Sequence, residues 1–317
     1  MAATSTLNEA LLDQDSLLQD ISYKSLIITQ DVDLESFVLE HLLDVVHDQH
    51  LDLHKIPQIA KLSVQTIHLI YPWHEKELRK LIAICSGYFY VIDDCVQDLL
   101  PNLRAFRRNL LAGISNGPVL NGLTKVLSQI VAYYGSFASD FIYSSTFEFI
   151  TMAVFECEVG EKLQCSPHAP NFPGYLRSRA GFGGPYAKYL FPEKPFPEAT
   201  FLQCYIQATP DLLEVIAFMN DVFSFYKESV VSTDRNNYVH NYATMHGVTV
   251  YKALEDTAAT LAECIRRLRL LFSSEPEMLK VLNSFIEGYT ATNLLPRYRL
   301  FECDLPELLG QYQNSQD

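Results

Sequence analysis

Apolar residues recur at helical spacing through most of the chain, interrupted by short polar or proline-bearing breaks. From Asp33 onward, Phe37, Val38, Leu42, Val45 and Val46 fall on one face at 3.6 residues per turn. The same pattern predicts helices over residues 58–71, ending at Pro72, and over 74–100, ending at Pro101. Residues 102–115 read as a basic amphipathic helix broken by Asn116-Gly117-Pro118. Helical spacing resumes over 119–134, 140–163, 195–210, 211–230, 248–272 and 275–293. Between them, 164–173 is a proline-containing loop, and 174–192 is glycine-rich, aromatic and not a simple helix. The polar stretch 229–237 reads as a mobile loop. No alternating strand pattern, internal repeat or composition shift appears. The pattern predicts one all-α domain over 31–310, with a loosely ordered segment 1–30 before it and a polar tail 311–317 after it.

Composition narrows this picture. Apolar residues make up 48% of the chain, enough for a sizeable core, and the formal net charge is −14. That charge argues against nucleic-acid binding, yet a few local cations or metal ions can still receive an anion. The seven cysteines form no CxxC pair, and several sit in apolar runs. They read as reduced, buried thiols of a cytoplasmic protein. The first twenty residues lack a basic region followed by a long apolar one, and no run of eighteen apolar residues occurs, so neither secretion nor stable membrane insertion is expected.

Four stretches carry candidate chemistry. In Met219–Glu228 the oxygen-bearing Asn220, Ser224 and Glu228 recur every fourth position, which stacks them on one helix face. An amide oxygen, a hydroxyl and a carboxylate are hard ligands of the kind Mg²⁺ takes, although a solvated polar stripe has the same spacing. Asp93, Asp94 and Asp98 follow the aromatic and β-branched run Tyr88-Phe89-Tyr90-Val91-Ile92. Adjacent carboxylates repel, so they suggest a cation, or else a helix end entering solvent. Arg177 and Arg179 precede Gly181, Gly183 and Gly184, where arginine can hold phosphate and glycine permits close backbone approach, as a plain surface turn also does. Arg297-Tyr298-Arg299 follows Pro296. Together the four could bind Mg²⁺ and a diphosphate.

In their order and spacing these motifs resemble the class I terpene cyclases, and most of all the trichodiene synthase-like fungal sesquiterpene synthases. The resemblance extends over roughly residues 60–300. Asn220-Asp221-Val222-Phe223-Ser224-Phe225-Tyr226-Lys227-Glu228 matches that family's second metal motif completely, including the Lys before the Glu. Asp93 and Asp94 match its aspartate-rich motif, but position 97 is Gln and the third acid is Asp98, so Asp93 should carry most of the coordination. Arg177 stands where the family has its diphosphate-sensing Arg, with Ala180 and Gly181 at the linker and effector positions. Arg297-Tyr298 matches the C-terminal Arg-Tyr pair. Thr292 lies near where relatives often place an aromatic residue.

The resemblance implies a helical bundle around a central apolar cavity. It implies three Mg²⁺ ions held by Asp93, Asp94, Asn220, Ser224 and Glu228. A linear prenyl diphosphate would be bound by Arg177, Lys227, Arg297 and Tyr298, with Arg177, Gly181 and Tyr298 acting in ionisation. Farnesyl diphosphate is the expected substrate and a sesquiterpene hydrocarbon or alcohol the product. A monoterpene or acyclic alcohol synthase using geranyl or farnesyl diphosphate is the alternative. Phe89, Tyr90, Phe155 and Tyr289 are candidate cavity walls, although each also suits ordinary core packing. A homodimer is compatible with the family. The rivals are a chain-elongating prenyltransferase, which would carry two aspartate-rich motifs, and a non-catalytic isoprenoid-binding helical protein, which would have lost metal ligands.

Overall fold

The computed structural model describes residues 17–24, 26, 29–47, 51–232, 235 and 237–302, and only the backbone of residues 161 and 301. Among the described residues there are helices and no strands, as the periodicity predicts. They fall into two compact units. One comprises residues 29–162 and 179–205, the other 1–28, 163–178 and 206–317 as far as these are described. The tail 311–317 lies outside the described residues.

The first unit contains helices α1 (Val32–Val46), α2 (Ile56–Ile70), α3 (Lys76–Asp94), α4 (Val96–Leu111), α5 (Pro118–Ile130) and α6 (Ser136–Val159). Helix α3 is its centre and packs against α1, α2, α4, α5 and α6. Its run Ile82–Phe89 is buried throughout, so it is apolar on all sides rather than amphipathic. Two glycines make this packing close. A Cβ at Gly87 would meet Leu42 at 2.9 Å, and one at Gly122 would meet the Tyr88 hydroxyl at 2.1 Å. Asp31 starts α1 by accepting from Leu34 N at 3.0 Å, and Pro118 starts α5 where a missing N–H costs nothing.

The helix expected over 74–100 ends earlier, at Cys95 (φ −124°, ψ 25°), and α4 begins at once. Pro101 consequently lies inside α4 rather than ending a helix. The carbonyl its ring leaves unbonded belongs to Gln97, an exposed residue, so water can satisfy it. The same reason explains Pro210. The two helices expected on either side of it are one, α9 (Glu198–Phe225), and the residue four before the proline, Ile206, is exposed. Residues 174–192 resolve into two short helices, α7 (Phe172–Arg179) and α8 (Gly183–Tyr189), separated by a bend at Gly181, whose φ of +77° favours glycine.

The second unit carries the C-terminal half of α9, then α10 (Tyr238–His246), α11 (Val250–Leu271) and α12 (Pro276–Asn293). Helix α10 has too little apolar periodicity to be read in advance. Its ends are nonetheless well capped, by Asn237 accepting from His240 N at 3.1 Å and by left-handed Gly247. The stretch expected as a mobile loop is partly ordered around Ser229, whose Oγ meets His240 Nε2 at 3.1 Å and Asn237 Nδ2 at 3.3 Å. The described part of the expected loose N-terminal segment packs as well. Leu17, Leu18 and Ile21 are buried, and Arg269 Nη2 donates to Ile21 O at 2.8 Å.

Candidate active site

Asn220 is the most tightly held residue of the polar row. Its Nδ2 donates to Tyr298 Oη at 3.1 Å and to Asn293 Oδ1 at 3.3 Å, and its Oδ1 accepts from Arg177 Nη2 at 3.3 Å. Arg177, on α7, grips the same turn of α9. Its Nε donates to both oxygens of Asp221, at 2.9 and 2.8 Å, and Nη2 also donates to Ala217 O at 3.1 Å. The arginine expected to sense diphosphate and the motif expected to hold metal, over forty residues apart in sequence, therefore meet in one network, together with Tyr298.

The α-helical register does not continue through the row. After Phe225 the chain widens into a π-helix, Tyr226–Val231, so Asn220 and Ser224 lie on α9 while Glu228 lies on the π turn. This corrects the expected continuous α-helix over 211–230. Such insertions re-aim the side chains that follow and are frequent at functional sites.

The electrostatics of the row favour a cation. Asp221 is only 7% exposed, and burial raises its carboxyl pKa despite the Arg177 guanidinium. The Glu228 carboxyl is also raised, first by burial and then by the Asp221 charge; the Ser224 hydroxyl, Arg177 and Lys227 oppose this. Ser224 Oγ itself is buried with no partner at hydrogen-bond distance, so its pull on Glu228 is a longer-range one. A buried hydroxyl without a partner and a carboxylate held short of positive charge fit the oxygen ligands of a divalent ion. Lys227 is half-buried beside them.

Asp93 and Asp94 occupy the last two positions of α3, both exposed. The carboxyl end of a helix is its negative end, so carboxylates there are disfavoured by about 0.3–1 kcal/mol each unless a cation compensates. Asp98 differs. It lies in the first turn of α4, where a negative charge is favoured, so it has a structural reason to be acidic.

Arg179 pairs with Glu148 at 3.7 Å, and Arg177 is the arginine whose hydrogen bonds reach the motif. Arg297 is half-buried with its guanidinium 5.5 Å from the Tyr298 ring, and Tyr298 is buried. Among the candidate walls, Phe89 is fully buried, stacked on Phe182 at 5.2 Å and edge-on to Phe149 at 5.4 Å. Tyr90 is half-buried and edge-on to Phe182 at 5.3 Å, and Phe155 is half-buried. Tyr289 is stacked on Phe285 and donates to Ile216 O at 3.1 Å, so it anchors α12 to α9. Thr292 is buried and bonds back to Gly288 O.

Three residues escaped the sequence reading. Asp221 was visible inside the motif, but its partner was not. Phe182 follows Gly181 directly and is the half-buried hub of the ring cluster. Asn293 ends a helix, where asparagine is unremarkable.

Asp211, Glu214 and Cys264 also gather within 4.8 Å of one another. Asp211, however, is held by Arg267 at 2.6 and 3.0 Å, and Cys264 Sγ donates to Glu214 at 3.0 Å. Asp211 and Glu214 stand nine and six residues before Asn220, roughly 9–13 Å along the helix, so the group is separate from the row. A groove of about 800 Å³ in the first unit, lined by Phe37, His41, Lys80, Tyr88, Lys125 and neighbours, contains none of the motif residues.

Comparison with known proteins matches residues 16–308 to the family model described as trichodiene synthase (TRI5). An (E)-beta farnesene synthase of Metarhizium brunneum is 29% identical over 293 residues, covering 91% of this chain and 87% of that protein. Monoterpene synthase 25 of Postia placenta is 26% identical over 275 residues, covering 86% of this chain and 80% of that protein. Among solved structures, linalool/nerolidol synthase from Streptomyces clavuligerus in complex with 2-fluorogeranyl diphosphate superposes with a TM-score of 0.66 at 15% identity. The match covers 88% of this chain and 99% of that one, and it shows a shared fold.

Proposed function

The chain belongs to the trichodiene synthase family, and on that premise we propose that it ionises farnesyl diphosphate and converts the allylic cation into a sesquiterpene hydrocarbon or alcohol, releasing diphosphate. It is a terpene synthase, a lyase acting on a carbon–oxygen bond to phosphate. Enzymes of this family use Mg²⁺. The observation that carries the residue assignment is the convergence of Arg177, Asp221, Asn220 and Tyr298 in one network.

We assign Asn220, Ser224 and Glu228 as metal ligands in one unit and Asp93 and Asp94 as those of the other, for three ions in all. Bound Mg²⁺ would neutralise the diphosphate and make it a better leaving group. Arg177, Lys227, Arg297 and Tyr298 bind diphosphate oxygens. Charge grows on these oxygens as the C–O bond breaks, so the cations among these residues stabilise the transition state more than the bound substrate. To reach diphosphate, Arg177 leaves Asp221, and its link through α7 to the Gly181 bend couples that movement to the backbone. Aromatic side chains shield the cation from water and stabilise it through their faces. We assign this role to the half-buried Tyr90 and Phe155 ahead of the buried Phe89 and Tyr289, which are committed to packing. Residues 31–310 act as one catalytic domain. The six described free cysteines favour a cytoplasmic location, and no described helix is long and apolar enough to cross a membrane.

The test is incubation with Mg²⁺ and farnesyl or geranyl diphosphate, followed by gas chromatography of the extract. A metal-dependent terpene from the C15 substrate is expected; absence of product from either substrate overturns the proposal. The C10 reading is supported by the monoterpene synthase relative and by the geranyl analogue bound in the structural neighbour. A product from geranyl diphosphate alone would establish it.

A further inference from the structure

We infer that Asn293, the last residue of α12, is a positioning residue that sets which way round the Asn220 amide stands, so that oxygen rather than NH₂ faces the cation. The inference rests on the functional reading above. The two ends of an amide are nearly equal in size and opposite in hydrogen-bonding sense, so neighbours must decide its polarity.

Here a chain of neighbours decides it. The Tyr289 carbonyl can only accept, so the end of Asn293 that meets it at 2.8 Å is Nδ2. The other end of Asn293, Oδ1, therefore faces Asn220, and the Asn220 atom 3.3 Å away must be the donor Nδ2. At the opposite end of Asn220, Arg177 Nη2 can only donate, so the atom 3.3 Å from it is Oδ1. Tyr298 Oη, at 3.1 Å from Asn220 Nδ2, can donate or accept and so cannot fix the polarity alone.

Two groups without a choice thus orient Asn220, one at each end. The functional reading sends Arg177 to diphosphate, which removes its constraint when substrate binds. Asn293 then becomes the remaining guide. It is suited to that task because it is only 1% exposed and its own amide is held by a main-chain carbonyl. It is not needed to close α12, whose last carbonyls already receive Leu294 N.

Binding of Mg²⁺ with inorganic pyrophosphate, followed by calorimetry on the full chain, tests this without turnover. Asn293→Leu should weaken that binding about tenfold while the helical circular dichroism is retained, as is usual when the partner of a metal ligand is removed. Asn293→Ala takes its place if the leucine variant does not fold. The decisive background is Asn220→Asp, whose two carboxylate oxygens are equivalent and leave no polarity to set. There, the same Asn293 substitution should cost less than about twofold. Wild-type binding by the Asn293 variant, or an equal loss in both backgrounds, overturns the inference and leaves the family reading intact. No binding by the wild-type protein overturns the functional reading itself.

Discussion

Near the end of α9, half-buried Asn220 and buried Asp221 are held by Arg177, Asn293 and Tyr298. At the end of α3, Asp93 and Asp94 stand exposed at the negative pole of a helix. Both are candidate metal motifs, yet the first is built into the packing of its unit and the second projects from it. Burial joins function to stability at the first. At the second, carboxylates can be changed with little consequence for the fold.

Substitutions can break this contrast. The largest effect is expected at the row itself: Asn220→Leu or Glu228→Ala should lower turnover by about 10³-fold, the scale of losing a preorganised electrostatic group. Circular dichroism should remain helical, and full activity in both variants would show that the row is only a polar stripe. Arg177→Ala should slow diphosphate release by about 10²-fold and, by leaving Asp221 buried and unpaired, destabilise the protein by about 3–5 kcal/mol in urea unfolding. A variant that loses activity without stability would refute the double role of Arg177.

Asp93→Ala should also lose about 10²-fold in turnover, but with a change in unfolding free energy within about 0.5 kcal/mol. Destabilisation as large as that of Arg177→Ala would erase the contrast between the two motifs.

Lys188 asks whether burial or location matters, because it lies in the same unit as Asp93 yet is 2% exposed, with Nζ 4.5 Å from the Phe141 ring centre. Burial lowers its pKa from 10.5 to about 8, against the pull of Glu198. The unfolded chain keeps this proton up to the ordinary lysine value and the folded chain only to about 8. The resulting penalty is complete below pH 8 and fades as pH rises from there toward 10.5. Lys188→Met should therefore be more stable than wild type by about 2 kcal/mol at pH 7, with the gap narrowing by pH 10. A gap independent of pH would exclude the ammonium as its cause. The smallest effect belongs to Asp98→Ala: normal turnover and a loss of about 0.3–1 kcal/mol, measured by thermal unfolding, from the first turn of α4. Loss of activity there would make Asp98 a ligand.

Much of this was legible without coordinates. The helices α1, α2, α5, α6, α11 and α12 follow apolar periodicity, a property of neighbouring residues. Helix ends were less legible at Pro101 and Pro210, because there the carbonyl that proline leaves unbonded belongs to an exposed residue, where water can satisfy it. Helix α10 carried capping signals without a strong apolar face. The motif residues could be found by type and spacing, but the π turn under Glu228 could not, since no local composition announces it.

The sequence by itself determined the all-α class, the family and the oxygen-bearing residues that offer a metal ligands, because periodicity and motif spacing are written along the chain. Only the tertiary structure decided that Arg177 meets the motif, that Asp98 lies in the first turn of a new helix, and that Asn293 faces Asn220. These depend on side chains 43 and 73 positions apart at Asn220, brought within 3.3 Å by packing. Hydrogen-bond polarity is settled by that proximity and by burial, neither of which is a property of any single stretch of chain.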